Sequence, residues 1–156
     1  MNILSIDPGV EKVGYAIFAK NDRDYTLVTS DLIKTSRKLT HGKRLQEIFD
    51  HLVMIRDQYN VEEVAMERLF FTKNTTTAIP VAQAQGVIEL LAAQKAIPVA
   101  YLTPSEIKAS ITGYGNADKK AVHKMLEISL EQKLVVKDDD EADAIACGLA
   151  YCLINR

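Results

Sequence analysis

At 156 residues, 47% hydrophobic and 26% charged, the chain has an ordinary globular composition and enough length to bury about two-thirds of its surface in one core. That composition excludes an extended coiled coil and a disordered chain, no apolar run approaches the ~18 residues needed to span a bilayer, and the N-terminus lacks the basic-then-apolar order of a secretory leader. The net charge of −2 does not by itself point to a nucleic-acid partner.

Charge is unevenly distributed. Lys34, Arg37, Lys38, Lys43 and Arg44 form a basic stretch without acids, whereas residues 138–143 carry five acids in six positions. The two cysteines, Cys147 and Cys152, have neither metal-ligand nor disulfide spacing. They read as small buried hydrophobes of a reduced, cytoplasmic setting.

The predicted elements start with an apolar strand at 2–7 that ends on Asp7-Pro8-Gly9, a carboxylate followed by a turn signal. Gly14 allows close approach as a second strand returns at about 13–20, and a third follows at about 25–34, all three spaced for antiparallel pairing. A helix at about 42–59 carries Leu45, Ile48, Phe49, Leu52 and Val53 on one face. A fourth strand, about 61–67, again ends on an acid, Glu67. The helix from about 76 to 95 is apolar around nearly its whole circumference. It is therefore either fully internal or has a second face covered by another subunit. A strand at about 98–102 and short helices from Thr103-Pro104 and from Asp118 follow. The last helix, about 140–154, carries the stripe Ala142, Ile145, Ala146, Leu149, Ala150, Leu153. This order predicts one α/β domain spanning residues 1–156, with a five-stranded mixed sheet of three antiparallel strands and two more, flanked by helices.

An acid at the end of a buried strand is costly unless a cation meets it. Asp7 and Glu67 both occupy strand ends, where ligands gather in α/β sheets. Asp140 and Asp143, three apart at a helix start, share one face. Asp138 and Asp139 read as compensation of the helix dipole, but Asp143 sits among Ala142, Ala144 and Ala146, where a helix packs closely. The four acids have no His or Cys among them. Such a set suits hard divalent cations, and two of these would carry the net charge from −2 to +2.

Ile6-Asp7-Pro8-Gly9, Glu67-Arg68-Leu69-Phe70 and Asp140-Glu141-Ala142-Asp143-Ala144-Ile145-Ala146 occur in the order of the RuvC Holliday junction resolvase family, within the ribonuclease H-like nucleases. Lys73-Asn74, Ala84-Gln85-Gly86 and Gly113-Tyr114-Gly115-Asn116-Ala117-Asp118-Lys119 also fall where that family has similar segments, so the resemblance runs from end to end. It implies a metal-dependent DNA endonuclease that resolves branched DNA, leaving 5′-phosphate and 3′-hydroxyl ends. Asp7, Glu67, Asp140 and Asp143 would hold two Mg²⁺, with Mn²⁺ as a substitute, and Lys119 and Lys108 would support cleavage. It further implies base stacking by Phe70, phosphate contacts from Arg68, Lys73, Arg37, Lys38, Lys43 and Arg44, and a homodimer formed through the helix at 76–95. The chain ends close behind its last helix and is acidic, which is compatible with a phage-encoded member. Other readings are a ribonuclease H-like enzyme acting on RNA and a non-catalytic junction-binding protein. An actin-like nucleotide-binding half is disfavoured by the lack of a second lobe.

Overall fold

The computed structural model describes residues 1–68 and 75–155. Five strands lie among them: β1 (Asn2–Asp7), β2 (Lys12–Asn21), β3 (Asp24–Lys34), β4 (Glu63–Glu67) and β5 (Val99–Leu102). They form one mixed sheet in the order β3-β2-β1-β4-β5. The first three strands meander antiparallel, while β4 joins β1, and β5 joins β4, in parallel. The order makes β1 central, and, as predicted, the strand is buried, its residues from Ile3 to Ile6 fully so.

Strand alternation sorts the core into two layers. Leu4, Ile6, Val64 and Met66 face α1 (His41–Gln58) and α2 (Thr75–Ala93), meeting Ile48, Leu52, Ile88 and Leu91. Ile3, Ala16, Phe18 and Ala65 face the other way, toward α3 (Pro104–Thr112), α4 (Lys119–Ser129) and α5 (Asp139–Ile154). The same two-residue period puts Asp7 and Glu67 on the α5 side of the sheet. The predicted stripe of α5 seals that layer, with Ile145, Leu149 and Ala150 fully buried.

Local signals set the helix starts. Thr103 and Glu106 form a reciprocal capping box with Pro104 in the first turn of α3, and the Asp118 carboxylate accepts from the Ala121 amide at 2.8 Å to start α4. The face of α1 is rotated slightly from expectation, toward Ile48, Leu52 and Ile55. It also buries Arg56, 6% exposed, which pairs with Asp57 and donates at 3.4 Å to the Leu91 carbonyl on α2.

Two glycines admit α5. Gly14 lies opposite Asp7 in the β1–β2 register, but the clearance it provides is for the helix: a Cβ there would overlap the Asp140 carbonyl. At Gly148 a Cβ would press into the Phe18 ring and the Ser5 hydroxyl. Gly14→Ala should therefore lower stability by about 1–3 kcal/mol in urea denaturation, because the obstacle is backbone that cannot rotate aside. Wild-type stability for that variant would refute the close approach.

Candidate active site

Four carboxylates meet at one end of the sheet. Asp7 and Glu67 come from neighbouring parallel strands whose register pairs Ile6 with Met66, so the two acids follow side by side. Asp140 and Asp143 descend onto them from the first turns of α5, across the gap that Gly14 leaves. Gln85 on α2 steadies the Glu67 backbone from the opposite layer, its amide donating to the Glu67 carbonyl at 2.9 Å.

Each of the four acids is held above its ordinary carboxylate range. Burial, then repulsion from Asp143, Asp140 and Glu67, pushes Asp7 up to about 7. Burial and then Asp143 raise Glu67, burial and then Asp138 raise Asp140, and burial raises Asp143 against the pull of Lys119. An all-oxygen donor set with this surplus of negative charge fits a hard divalent cation. Among the described residues no three His, Cys, Asp or Glu side chains converge as a ready-made ligand cage. The acids form a concentrated negative field, which a cation would have to draw together.

Cations already present sit at the rim. Lys119 Nζ lies 3.2 Å from Asp139 and 3.5 Å from Asp143 while remaining 69% exposed. Lys12 on β2 pairs with Asp138. Neither Asp138 nor Asp139 is left only to offset the helix dipole, and Lys12 carries no sequence signal apart from its place two residues before Gly14. A pocket of about 250 Å³ opens beside the acids, lined by Glu67, Asp143, Lys108, Lys119 and His123 over a floor that includes Ile107 and Leu126. His123 was not marked by sequence. Its signal would have been its position four residues after Lys119, on the same helical face.

The predicted DNA contacts fare differently. Arg37 is ion-paired to Glu11 at 2.7 Å and lines an opening of about 530 Å³ together with Asp7, Lys12 and Asp140. Lys38, Lys43 and Arg68 are exposed. Arg44 turns inward: its Nε donates at 2.8 Å to the Thr35 hydroxyl, which donates to the Val10 carbonyl, and its Nη2 is buried without a hydrogen-bond partner. That orientation braces the turn after Asp7 and leaves the residue partly buried. Phe70 and Lys73 lie outside the described residues.

A mixed sheet in the order 3-2-1-4-5, helices on both faces, and acids from β1, β4 and a helix laid across them define a ribonuclease H-like domain with a carboxylate site. The family model for the crossover junction endodeoxyribonuclease RuvC matches residues 3–151, and the chain belongs to that family. It is 39% identical to RuvC of Pseudothermotoga lettingae over 156 residues, covering all of this chain and 96% of that protein. It is 40% identical to RuvC of Thermosipho melanesiensis, covering 98% and 96%. Thermus thermophilus RuvC, solved in complex with a Holliday junction substrate, superposes with a TM-score of 0.91 at 27% identity, covering 99% of this chain and 94% of that one.

The raised Asp7 has a consequence for stability. Its carboxyl titrates at about 7 in the fold against 3.8 ordinarily, so the folded chain retains a proton that the unfolded chain has lost. Stability therefore declines as pH rises through that window. In EDTA at about pH 8, Asp7→Asn should be more stable than wild type by on the order of 3–4 kcal/mol, and near pH 4 the two should coincide. A urea titration showing no pH dependence in the difference would refute the buried-charge account.

Proposed function

We propose that this chain is a structure-selective DNA endonuclease that resolves Holliday junctions and related branched DNA by hydrolysing phosphodiester bonds. The observation that carries the reading is the meeting of Asp7, Glu67, Asp140 and Asp143 at one sheet end, in a chain similar to RuvC along its whole length. The reading places it in the cytoplasm of a bacterial cell, or of a phage-infected host.

Asp7, Glu67, Asp140 and Asp143 would hold divalent cations, Mg²⁺ at two per site, with Mn²⁺ able to replace it. When bound, such cations supply Lewis acidity, easing deprotonation of the attacking water and balancing charge on phosphate and leaving group. The protein's own groups do the rest. The four acids direct that charge to the ends of β1 and β4. Lys119 and Lys108 stand on the rim of the same opening and donate hydrogen bonds to phosphoryl oxygens as negative charge builds there. A bond forms from the water oxygen to phosphorus, and the bond from phosphorus to the 3′ oxygen breaks, leaving a 5′-phosphate and a 3′-hydroxyl. Arg37, Lys38, Lys43, Arg68 and Lys73 hold the backbone without reading sequence, and Phe70 stacks against a base at the branch.

Two equivalent cuts require two equivalent sites, and α2 offers the surface for pairing. It packs inward through Ala84, Ile88, Leu91 and Ala92, but Ile79 and Leu90 remain 58% and 56% exposed. A fully internal helix is thus not what the fold contains. Ile79, Ala82, Gly86, Leu90 and Ala93 recur at spacings of three and four along this outer face. A Cβ at Gly86 would meet nothing within 4 Å among the described residues, and the glycine costs the helix about 1 kcal/mol relative to alanine. A second α2 approaching closely gives that glycine a purpose.

Labelled synthetic four-way junctions with Mg²⁺ test the activity. Wild type should make paired nicks, and Asp7→Asn or Asp143→Asn should lose about a thousandfold or more in rate while still binding, as expected for several kcal/mol of charge stabilisation. Lys119→Ala should lose on the order of a hundredfold. Degradation of RNA instead, or binding without cutting, would overturn the reading in favour of its two rivals. Separately, Leu90→Glu should sediment as a folded monomer in analytical ultracentrifugation. An unchanged dimer would move the interface elsewhere.

A further inference from the structure

Glu141 lies between Asp140 and Asp143 in sequence but has a different environment. It is 3% exposed, one of the few buried charged residues among those described. The Ser30 hydroxyl on β3 donates to one of its carboxylate oxygens at 2.6 Å, and the Lys137 backbone amide donates to the other at 2.7 Å. Lys137 in turn extends its ammonium to Asp31, the neighbour of Ser30, at 2.7 Å. The segment entering α5 is therefore tied to the edge strand through both residues.

At 3.6 residues per turn, Glu141 projects about 100° from Asp140 and about 160° from Asp143. Holding Glu141 down on β3 therefore turns Asp143 toward the far side of the helix, where β1 and β4 end. The apolar stripe of α5 sets its height above the sheet, but such contacts are non-directional and leave rotation about the helix axis loosely defined. A carboxylate about 5 Å from that axis travels roughly 2 Å when the helix rolls by about 20°. Misplacement of about 1 Å can cost on the order of a hundredfold in rate.

We propose that Glu141, clamped between the Ser30 hydroxyl and the Lys137 amide, is a positioning residue that fixes the roll of α5 and so aims Asp140 and Asp143 at Asp7 and Glu67. The inference rests on the four-carboxylate reading of the site. Its competitor is that Glu141 simply adds negative charge to the site.

Glu141→Gln separates the two. It removes the charge but keeps both hydrogen bonds, since the amide oxygen accepts from Lys137 and the amide nitrogen donates to Ser30. Glu141→Gln should cut four-way junctions with kcat within about threefold of wild type, whereas Glu141→Ala should lose about a hundredfold in kcat with KM and metal-free junction affinity unchanged. Ser30→Ala should lose less, and should add almost nothing to Glu141→Ala, because both changes break the same clamp. Mn²⁺ binding, followed by electron paramagnetic resonance without DNA, gives a readout independent of cleavage. It should weaken about tenfold or more in Glu141→Ala and hold in Glu141→Gln.

The proposal is overturned if Glu141→Gln is as impaired as Glu141→Ala, if Glu141→Ala keeps full kcat and Mn²⁺ affinity, or if rate falls only in step with junction binding. Should Glu141→Ala fail to fold, Ser30→Ala with unchanged kcat and Mn²⁺ affinity overturns it as well. A wild type that binds Mn²⁺ with this pattern yet cuts nothing would sink the nuclease reading and leave the clamp standing.

Discussion

The structure depends on a concentration of like charge that the fold imposes and cannot itself neutralise. Asp7 ends the most buried strand, and three other carboxylates are brought to it from an adjacent strand and from a helix laid across the sheet. The nearby lysines do not resolve the conflict. Lys12 pairs with Asp138 and Lys119 with Asp139 and Asp143, one residue or more outward from Asp7, which stays pushed up to about 7. A site that is poorly balanced alone is one in which added positive charge is strongly stabilising. On the proposed reading, stability given up in the free protein would become affinity for a cation and, through it, for a phosphate.

Gathering those acids takes close packing from one direction and hydrogen bonding from another. Gly14 and Gly148 remove the side chains that would hold α5 away from β1 and β2. Ile145, Leu149 and Ala150 then seal the helix to the sheet. Packing of this kind tolerates sliding and rolling more readily than the loss of a hydrogen bond to a buried carboxylate, which costs about 1–3 kcal/mol or more. Polar ties hold the start of α5, at Asp138, Glu141 and Asp143, and Tyr151 meets Glu63 of β4 near the other end, while the stretch from Ala144 to Ala150 between them is apolar. Direction is thus specified where the site acids leave the helix, and adhesion is supplied behind them.

Sequence made the four acids legible because each is marked by local pattern. Asp7 and Glu67 interrupt apolar strands, and Asp140 and Asp143 lie three apart on a helix with a clean stripe. That both strand acids share a face came only with the register, which pairs Ile6 with Met66. The long-range pairings were not legible. Within the run from 138 to 143, Glu141 is one acid among five, and nothing in its neighbourhood names Ser30 as its partner across 111 positions. The same holds for Lys12 and Asp138, 126 positions apart, and for Arg56, which nothing in the sequence ties to the Leu91 carbonyl 35 positions on. Arg44 read as part of a basic stretch, yet it braces the turn behind Asp7. Charge density in a sequence does not say which members of a run face solvent.

The helix whose two apolar faces allowed two interpretations shows how the site and the proposed assembly are mechanically joined. On its inner side α2 packs into the core and, through Gln85, holds the carbonyl of Glu67. Its outer side presents Gly86 and Leu90, within one turn or so of that same glutamine. A partner seated there would press on the element that steadies one of the four carboxylates, so a single helix would join interface and site. Two sites related by such an interface would stand at a separation set by rigid secondary structure. A junction with two equivalent strands has its own fixed separation between scissile phosphates, so a rigid coupling favours engagement of both sites together over engagement of either alone.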